Sequence, residues 1–400
     1  MMRKLNISKL SMGACFTLWF VYLSNIAVLS SGVVLLFSLL FLLIALLNVA
    51  RPRLFSRLLK QSLSSKLIYA CFFLIVTQYL FLEFFVGDIS ANLNVILRGY
   101  IGLFFIFITS ANFNYASNGY KNLRILLFIS TLTIFCSVGL QFLNPELWNS
   151  IADTSDRVVS DEGQTGRAFG LMFNALDLVF FCGVFLVGSV IIDGKDGSSS
   201  IGIITRVMLI LMLILCFARS SYIIVFLMFC MNPMGNIKYV LLLAPIIFVL
   251  YRNDLLYGDG FDRLSFLLGS ASEFTTGGST RNRSEIIQTV IDNADKVPFF
   301  GLGLSGRDQV LPSYWRAHNF LLESFMTVGY FGLLLIGIIW TAIAIIVFGS
   351  GLKWSSKIVI FLIPLVSLMT VGHVTWSFTL YFYFFLVLIL EQKKVQNAKL

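Results

Sequence analysis

A chain of 400 residues that is 58% hydrophobic and only 12% charged cannot make a soluble surface, which needs roughly a quarter of its residues charged. The bilayer must be its solvent, and lipid-exposed segments this long and apolar satisfy their backbone groups only as helices. The expected fold is therefore an all-α polytopic membrane protein. The net charge of +9 is explained by topology, as shown below, so no nucleic-acid partner is inferred.

In chain order, apolar runs predict about twelve transmembrane helices near 10–29, 31–49, 67–86, 95–112, 124–143, 168–192, 201–218, 221–234, 239–251, 318–348, 358–372 and 374–390. Several approach or reach the ~20 residues that span a hydrocarbon core. The first run follows Arg3, Lys4 and Lys9 as a signal peptide would. A second apolar run follows it in place of a cleavage site and a polar domain, so it is expected to stay as an anchor. Residues 1–251 then hold helices one to nine, 252–317 form a loop domain, and 318–400 hold the last three helices and a tail.

Lysine and arginine are retained on the cytoplasmic side of a membrane. An even number of helices puts both termini there, and the segments on that side carry 18 basic residues against three acids, Asp193, Asp196 and Glu391. The remaining basic residues are ten arginines and Lys296. Arginine is thus kept where topology disfavours positive charge, and its planar fork of donors suits phosphate or carboxylate. The plain alternative is that these arginines pair with acids on the same side. Glu83 and Arg98 flank the turn between the third and fourth helices and are expected to pair and hold that hairpin. Asp177, deep in the sixth helix, is a candidate counter-ion for an arginine.

The six cysteines all fall in apolar runs and read as core packers, with no disulfide framework. The two histidines, His318 and His373, have no carboxylate cluster at metal-ligand spacing around them, so no metal or other cofactor is expected.

Two outer segments are long, 144–167 and 252–317. In the second, residues 280–294 read as a helix with Ile286, Ile287, Val290, Ile291 and Ala294 on one stripe and Glu285, Gln288 and Asp292 on the other side. At helical spacing Arg283 falls on the apolar stripe and Arg281 on the polar face. Pro298 stops the helix, and Gly301-Leu302-Gly303 gives a turn where backbone can approach closely. Tyr314, Trp315, Arg316, His318 and Asn319 then gather at the mouth of the tenth helix. Aromatics beside polar groups there suit sugar stacking, or an ordinary interfacial belt. Glu323 lies one turn below Asn319.

This region resembles the superfamily of O-antigen polymerases (Wzy type) and O-antigen ligases. The resemblance rests on Arg283, Pro298 fifteen residues later, Gly301 and Gly303, then His318-Asn319 and, after nine residues, Gly329-Tyr330-Phe331-Gly332. Arg167 with Gly170 and Asn174, and Arg219-Ser220-Ser221 between the seventh and eighth helices, look like two further arginine sites of that family. The motifs cover residues 160–332. Ile287 stands where the family commonly has tryptophan, and Phe173-Asn174-Ala175 lacks the usual Asn-Pro-Asn character.

The resemblance implies a fold like that of the GT-C membrane glycosyltransferases and glycosyl transfer on the periplasmic face of a bacterial inner membrane. The donor and acceptor would be glycans on undecaprenyl diphosphate, and a chain-length regulator would be a candidate partner. A ligase would instead pass the finished glycan to lipid A core, and a transporter of the same lipid-linked glycans is a third reading. Because diphosphate is a good leaving group, the site must mainly stabilise developing negative charge, which arginines can do. Arg219 and Arg283 are the first candidates, and Arg167, Arg281 and Arg316 support them in binding. His318, with an ordinary histidine pKa near 6.5, is the candidate base for the acceptor hydroxyl. Glu323 is its rival or its orienting partner. Asn319, Tyr314 and Trp315 are candidate sugar contacts.

Overall fold

The computed structural model describes residues 61–85, 87, 89–113, 119–144, 147, 170, 175–196, 199–216, 218–231, 278–312, 319–369 and 378–397, with the backbone alone at some helix positions, Arg98, Arg219, Arg281 and Arg283 among them. The expected helices at 10–29, 31–49 and 239–251 lie outside these residues. So does the outer segment 144–167 apart from Asn144 and Leu147.

Among the described residues the protein is helical, without strands. The helices are α1 (Leu63–Phe85), α2 (Ile89–Asn112), α3 (Gly119–Leu143), α4 (Ala175–Asp196), α5 (Ser200–Leu215), α6 (Arg219–Met231), α7 (Gly278–Asp292), α8 (Phe320–Phe348), α9 (Trp354–Leu368) and α10 (Phe378–Asn397). The helices within α1, α3, α4 and α8 are long and apolar enough to cross a membrane. The sequence expectation is met for their existence and shifts by a few residues at their ends. α5, α6 and α9 are shorter apolar helices.

α4 and α10 form the centre of the bundle. Nearly every side chain from Leu178 to Ile192 and from Leu380 to Leu390 is buried, including Phe181, Phe185, Phe382 and Phe385. α1 lies along α8, and both present apolar side chains outward, such as Phe73, Phe81 and Leu334. Exposed aromatic and aliphatic groups of this kind suit lipid rather than water. The membrane association implied by the spans follows from these faces as well.

Polar groups gather at two opposite ends of the bundle. At one end Asp193 of α4 accepts from Arg206 of α5 and lies 3.7 Å from Arg124 of α3, while Arg206 Nε donates to Ser189 Oγ at 2.9 Å. Ser65 donates to Glu391 there, and Lys357 Nζ caps the Phe348 carbonyl at 2.8 Å. Each of these charged residues belongs to the group expected on the lysine-rich side. The far end carries the turn between α1 and α2, helix α7 and the start of α8.

α8 is two helices joined at a break. Gly329 has φ +63 and ψ −163, backbone values that essentially only glycine adopts without strain. Residues 320–328 form a short half-helix at the far end, and 330–348 continue toward the lysine-rich end. The tenth predicted helix is therefore interrupted, because Gly329 surrenders helical geometry to meet the loop before it.

Candidate functional site

The far end is organised by the loop between α7 and α8. α7 ends at Asp292, a 3-10 turn covers Ala294–Lys296, and a second covers Ser305–Gln309. Between them the backbone pairs with the broken helix. Leu302 and Gly303 donate to the carbonyls of Met326 and Thr327, both at 2.9 Å, and Phe331 donates to the Phe299 carbonyl at 3.1 Å. The break at Gly329 frees carbonyls that an unbroken helix would have used, and the loop supplies their donors.

α1 holds this assembly by three polar side chains in an apolar helix. Gln78 Nε2 donates to the Phe300 and Val328 carbonyls at 2.6 and 2.8 Å. Tyr79 Oη and Thr327 Oγ1 share a hydrogen bond at 2.9 Å. Glu83, fully buried, accepts from Leu304 N, from Ser305 N at 3.2 Å and Ser305 Oγ at 2.7 Å, and from Asn92 Nδ2 at 2.7 Å. Glu83 thus ties α1 to α2 through Asn92, and the same carboxylate docks the loop; the expected pair with Arg98 falls on a side chain outside the described ones. A buried carboxylate with several N–H and O–H donors has its desolvation offset by charge-assisted bonds.

α7, the loop after it and the half-helix share a small second core. Ile286 and Val290 join Val297, Leu302, Val310 and Leu311 against Phe325 and Met326, with Ala294 at the edge. Glu285, Gln288 and Asp292 are exposed as the helical spacing predicts. The apolar stripe is narrower than expected, because Ile287 and Ile291 are 41% and 58% exposed. Ile286, Val290 and Ala294, at i, i+4 and i+8, supply the contribution of this segment to that core.

Asn319 is the N-cap of α8. It has extended backbone, and its Oδ1 accepts from Leu321 N at 2.9 Å and Leu322 N at 3.3 Å. This is the ordinary work of asparagine at a helix start. Glu323, one turn on, is 6% exposed and lies 3.9 Å from Arg307 Nη1. Arg307 is itself buried and also lies 3.6 Å from Asp308. The carboxylate of Glu323 also benefits from the positive end of the half-helix.

Among the candidates, Asn319 and Glu323 are brought to one place with Arg307. Arg281 and Arg283 sit in the first turns of α7, which shares the small second core with that half-helix, and Arg219 opens α6, whose start lies at the far end by chain direction. Arg167, Tyr314, Trp315, Arg316 and His318 lie outside the described residues. Residues missed in sequence are Gln78, Asn92 and Arg307. Gln78 had a usable signal, being an amide inside an apolar run, which needs a polar partner in the membrane.

The fold and this end of the molecule define a helical, membrane-associated protein with a polar, backbone-paired assembly at one mouth of an apolar bundle. No known protein-family profile matches the chain, and no curated protein matches it.

Proposed function

We propose that this protein is a metal-independent membrane glycosyltransferase that polymerises oligosaccharide repeat units carried on undecaprenyl diphosphate. Its product would be O-antigen or a related surface polysaccharide. The proposal includes twelve spans in a GT-C-like arrangement and a site on the periplasmic face of a bacterial inner membrane. The observation that carries it is the small core shared by α7, which bears Arg281 and Arg283, the loop after it, and the half-helix that Asn319 begins and Glu323 occupies. Arginine-bearing and acid-bearing segments thus share the mouth of an apolar bundle, at the height where a lipid-held diphosphate would lie.

In the proposed reaction the acceptor hydroxyl oxygen bonds to the anomeric carbon of the donor glycan. The bond from that carbon to the diphosphate oxygen breaks, and undecaprenyl diphosphate leaves with the electron pair. His318 takes the hydroxyl proton, and Arg219 and Arg283 stabilise the leaving charge. Arg167, Arg281 and Arg316 hold the diphosphate region, while Asn319, Tyr314 and Trp315 contact sugar. A chain-length regulator is the proposed protein partner.

The test is an assay of purified protein in detergent with defined lipid-linked repeat units and excess chelator. A ladder of glycans on the lipid carrier is expected. Transfer that occurs only when lipid A core is supplied would assign a ligase instead. Absence of transfer to either acceptor by well-folded protein would overturn the proposal and favour transport of the same lipids.

A further inference from the structure

We infer that residues 297–304 form a re-entrant loop whose tip, Phe299 and Phe300, lies in the hydrocarbon of the bilayer. The sequence alone places this stretch in an aqueous outer loop, and four observations point elsewhere.

The first is composition. From Val297 to Leu304 the chain reads Val-Pro-Phe-Phe-Gly-Leu-Gly-Leu, without a charged or hydroxyl side chain, between Asp295-Lys296 and Ser305. The second is exposure. Phe299 and Phe300 are 57% and 53% exposed, although the burial of two such rings in water-facing protein would be favourable by roughly 1.5–3 kcal/mol each. They pack on each other and on Phe331 with ring centroids 5.1 to 6.2 Å apart, and Tyr330 beside them is exposed as well.

The third is depth. The tip is tied to α1 at Gln78, whereas the rising limb is tied at Glu83. α1 runs outward to Phe85, seven residues beyond Gln78, which is about 10 Å at 1.5 Å per residue. Helical side chains also lean toward the N-terminus, so the Gln78 amide sits no higher than its own turn. The phenylalanine tip therefore lies below Phe81, Phe84 and Phe85, which are themselves exposed apolar rings on α1. It cannot be wet while those rings are in lipid.

The fourth is the backbone. Unsatisfied backbone groups are costly in lipid, and much of this loop's backbone is paired with protein, although the Phe299 and Phe300 N–H groups have no partner among the described residues. The carbonyls of Pro298, Phe299 and Phe300 accept from Gly301 N, Phe331 N and Gln78 Nε2. The N–H groups of Gly301, Leu302, Gly303 and Leu304 donate to Pro298, Met326, Thr327 and Glu83. Pro298 has no N–H to satisfy. The partner that fits this surface is lipid hydrocarbon, continuous with the outward faces of α1 and α8. The inference stands independently of the proposed reaction.

Photoreactive benzoylphenylalanine in place of Phe299, Phe300, Phe81 or Asp295, in full-length protein reconstituted in phospholipid vesicles, tests it. Because both phenylalanines already point outward, the probe removes little packing. Phospholipid adducts, read by mass, are expected at 299, 300 and 81, and several-fold fewer at 295. Adducts from 299 and 300 to another part of the chain would mean protein covers the tip, and would overturn the inference. So would absence of any adduct while position 81 reacts, or equal lipid adducts at 295. If a probe at 300 disturbs the fold, seen as altered elution, position 299 decides alone.

Discussion

Gly301 and Gly329 meet backbone to backbone, so closely that a Cβ on either would overlap main-chain atoms of the other's turn: Thr327 O and Gly329 N for the first, Phe299 O and Gly301 N for the second. Both also have positive φ, +85 and +63. The contact joins the outer loop to the break in α8, and no larger residue fits either side.

Gly329→Ala and Gly301→Ala are therefore each expected to destabilise the protein by more than the roughly 1–3 kcal/mol of backbone strain alone. Thermal unfolding in detergent checks this. Since the two glycines serve one contact, the double variant should cost clearly less than the sum of the singles. Additive losses would mean that the two positions act separately.

Glu83 gives a second expectation. Glu83→Ala removes the acceptor of the N–H groups of half-buried Leu304 and exposed Ser305, which costs less than the roughly 1–3 kcal/mol of a fully buried orphan at each. Glu83→Gln retains one acceptor oxygen and should lose less. Amide hydrogen exchange of Leu304 and Ser305 reads the effect directly, and it should accelerate strongly in the alanine variant while α4 stays protected. Unchanged exchange at both amides would show that the loop is held by other contacts.

The legible part of this molecule follows from local pattern. Apolar runs locate α1, α3, α4 and α8, the exposed acids of α7 follow helical spacing, and Gly301 forms the close turn that its neighbours suggest. The break at Gly329 is different. Its glycine is visible in sequence, but glycine inside an apolar helix is common, and what forces the break is a loop that supplies donors to Met326 and Thr327. Gln78 and Glu83 act across more than two hundred residues of chain, where no local period relates the partners. Glu83 drew attention as a membrane charge, and Arg98 was the nearest opposite charge in sequence. The partners seen among the described side chains, Asn92, Ser305 and the loop amides, are neutral, so counting charges could not find them; the Arg98 side chain lies outside the described ones. The pairing of Arg307 with Glu323 links a loop turn to the half-helix, a relation that no helical period gives, and it joins an arginine outside the motif set to a candidate within it.

That pairing yields a third prediction. Both side chains are buried, and removing one partner weakens the compensation of the other, although Asp308 at 3.6 Å still faces Arg307, so the loss should fall below the roughly 3–5 kcal/mol of a buried charge left alone. Arg307→Met and Glu323→Gln should each lower thermal stability, and the combined variant should recover part of the loss. A double-mutant cycle with no coupling would show that the 3.9 Å approach carries no energy.

The proposed chemistry adds an expectation for Arg283. If it grips diphosphate through its bidentate fork, Arg283→Lys should impair polymer formation nearly as much as Arg283→Ala, because lysine keeps the charge and loses the fork. Normal polymer length from both variants at equal protein level would remove Arg283 from the site.

The last prediction separates His318 from Glu323 as the base. Glu323 is committed to Arg307, and its substitution acts on the loop as well as on any proton transfer, so a rate loss in Glu323→Gln alone decides nothing. His318 immediately precedes in sequence the cap Asn319, which lies one turn outward of Glu323 on the half-helix. As the base it must be neutral to accept the proton, so activity should fall as pH drops through the ordinary histidine range near 6.5. His318→Ala should then lower turnover by about 100- to 10,000-fold with donor binding retained, and the acidic limb of the pH profile should vanish with the imidazole. Glu323→Gln should keep that limb at whatever rate remains. If His318→Gln instead retains most of the rate and the acidic limb, the imidazole only positions sugar or loop, and the proton passes to Glu323.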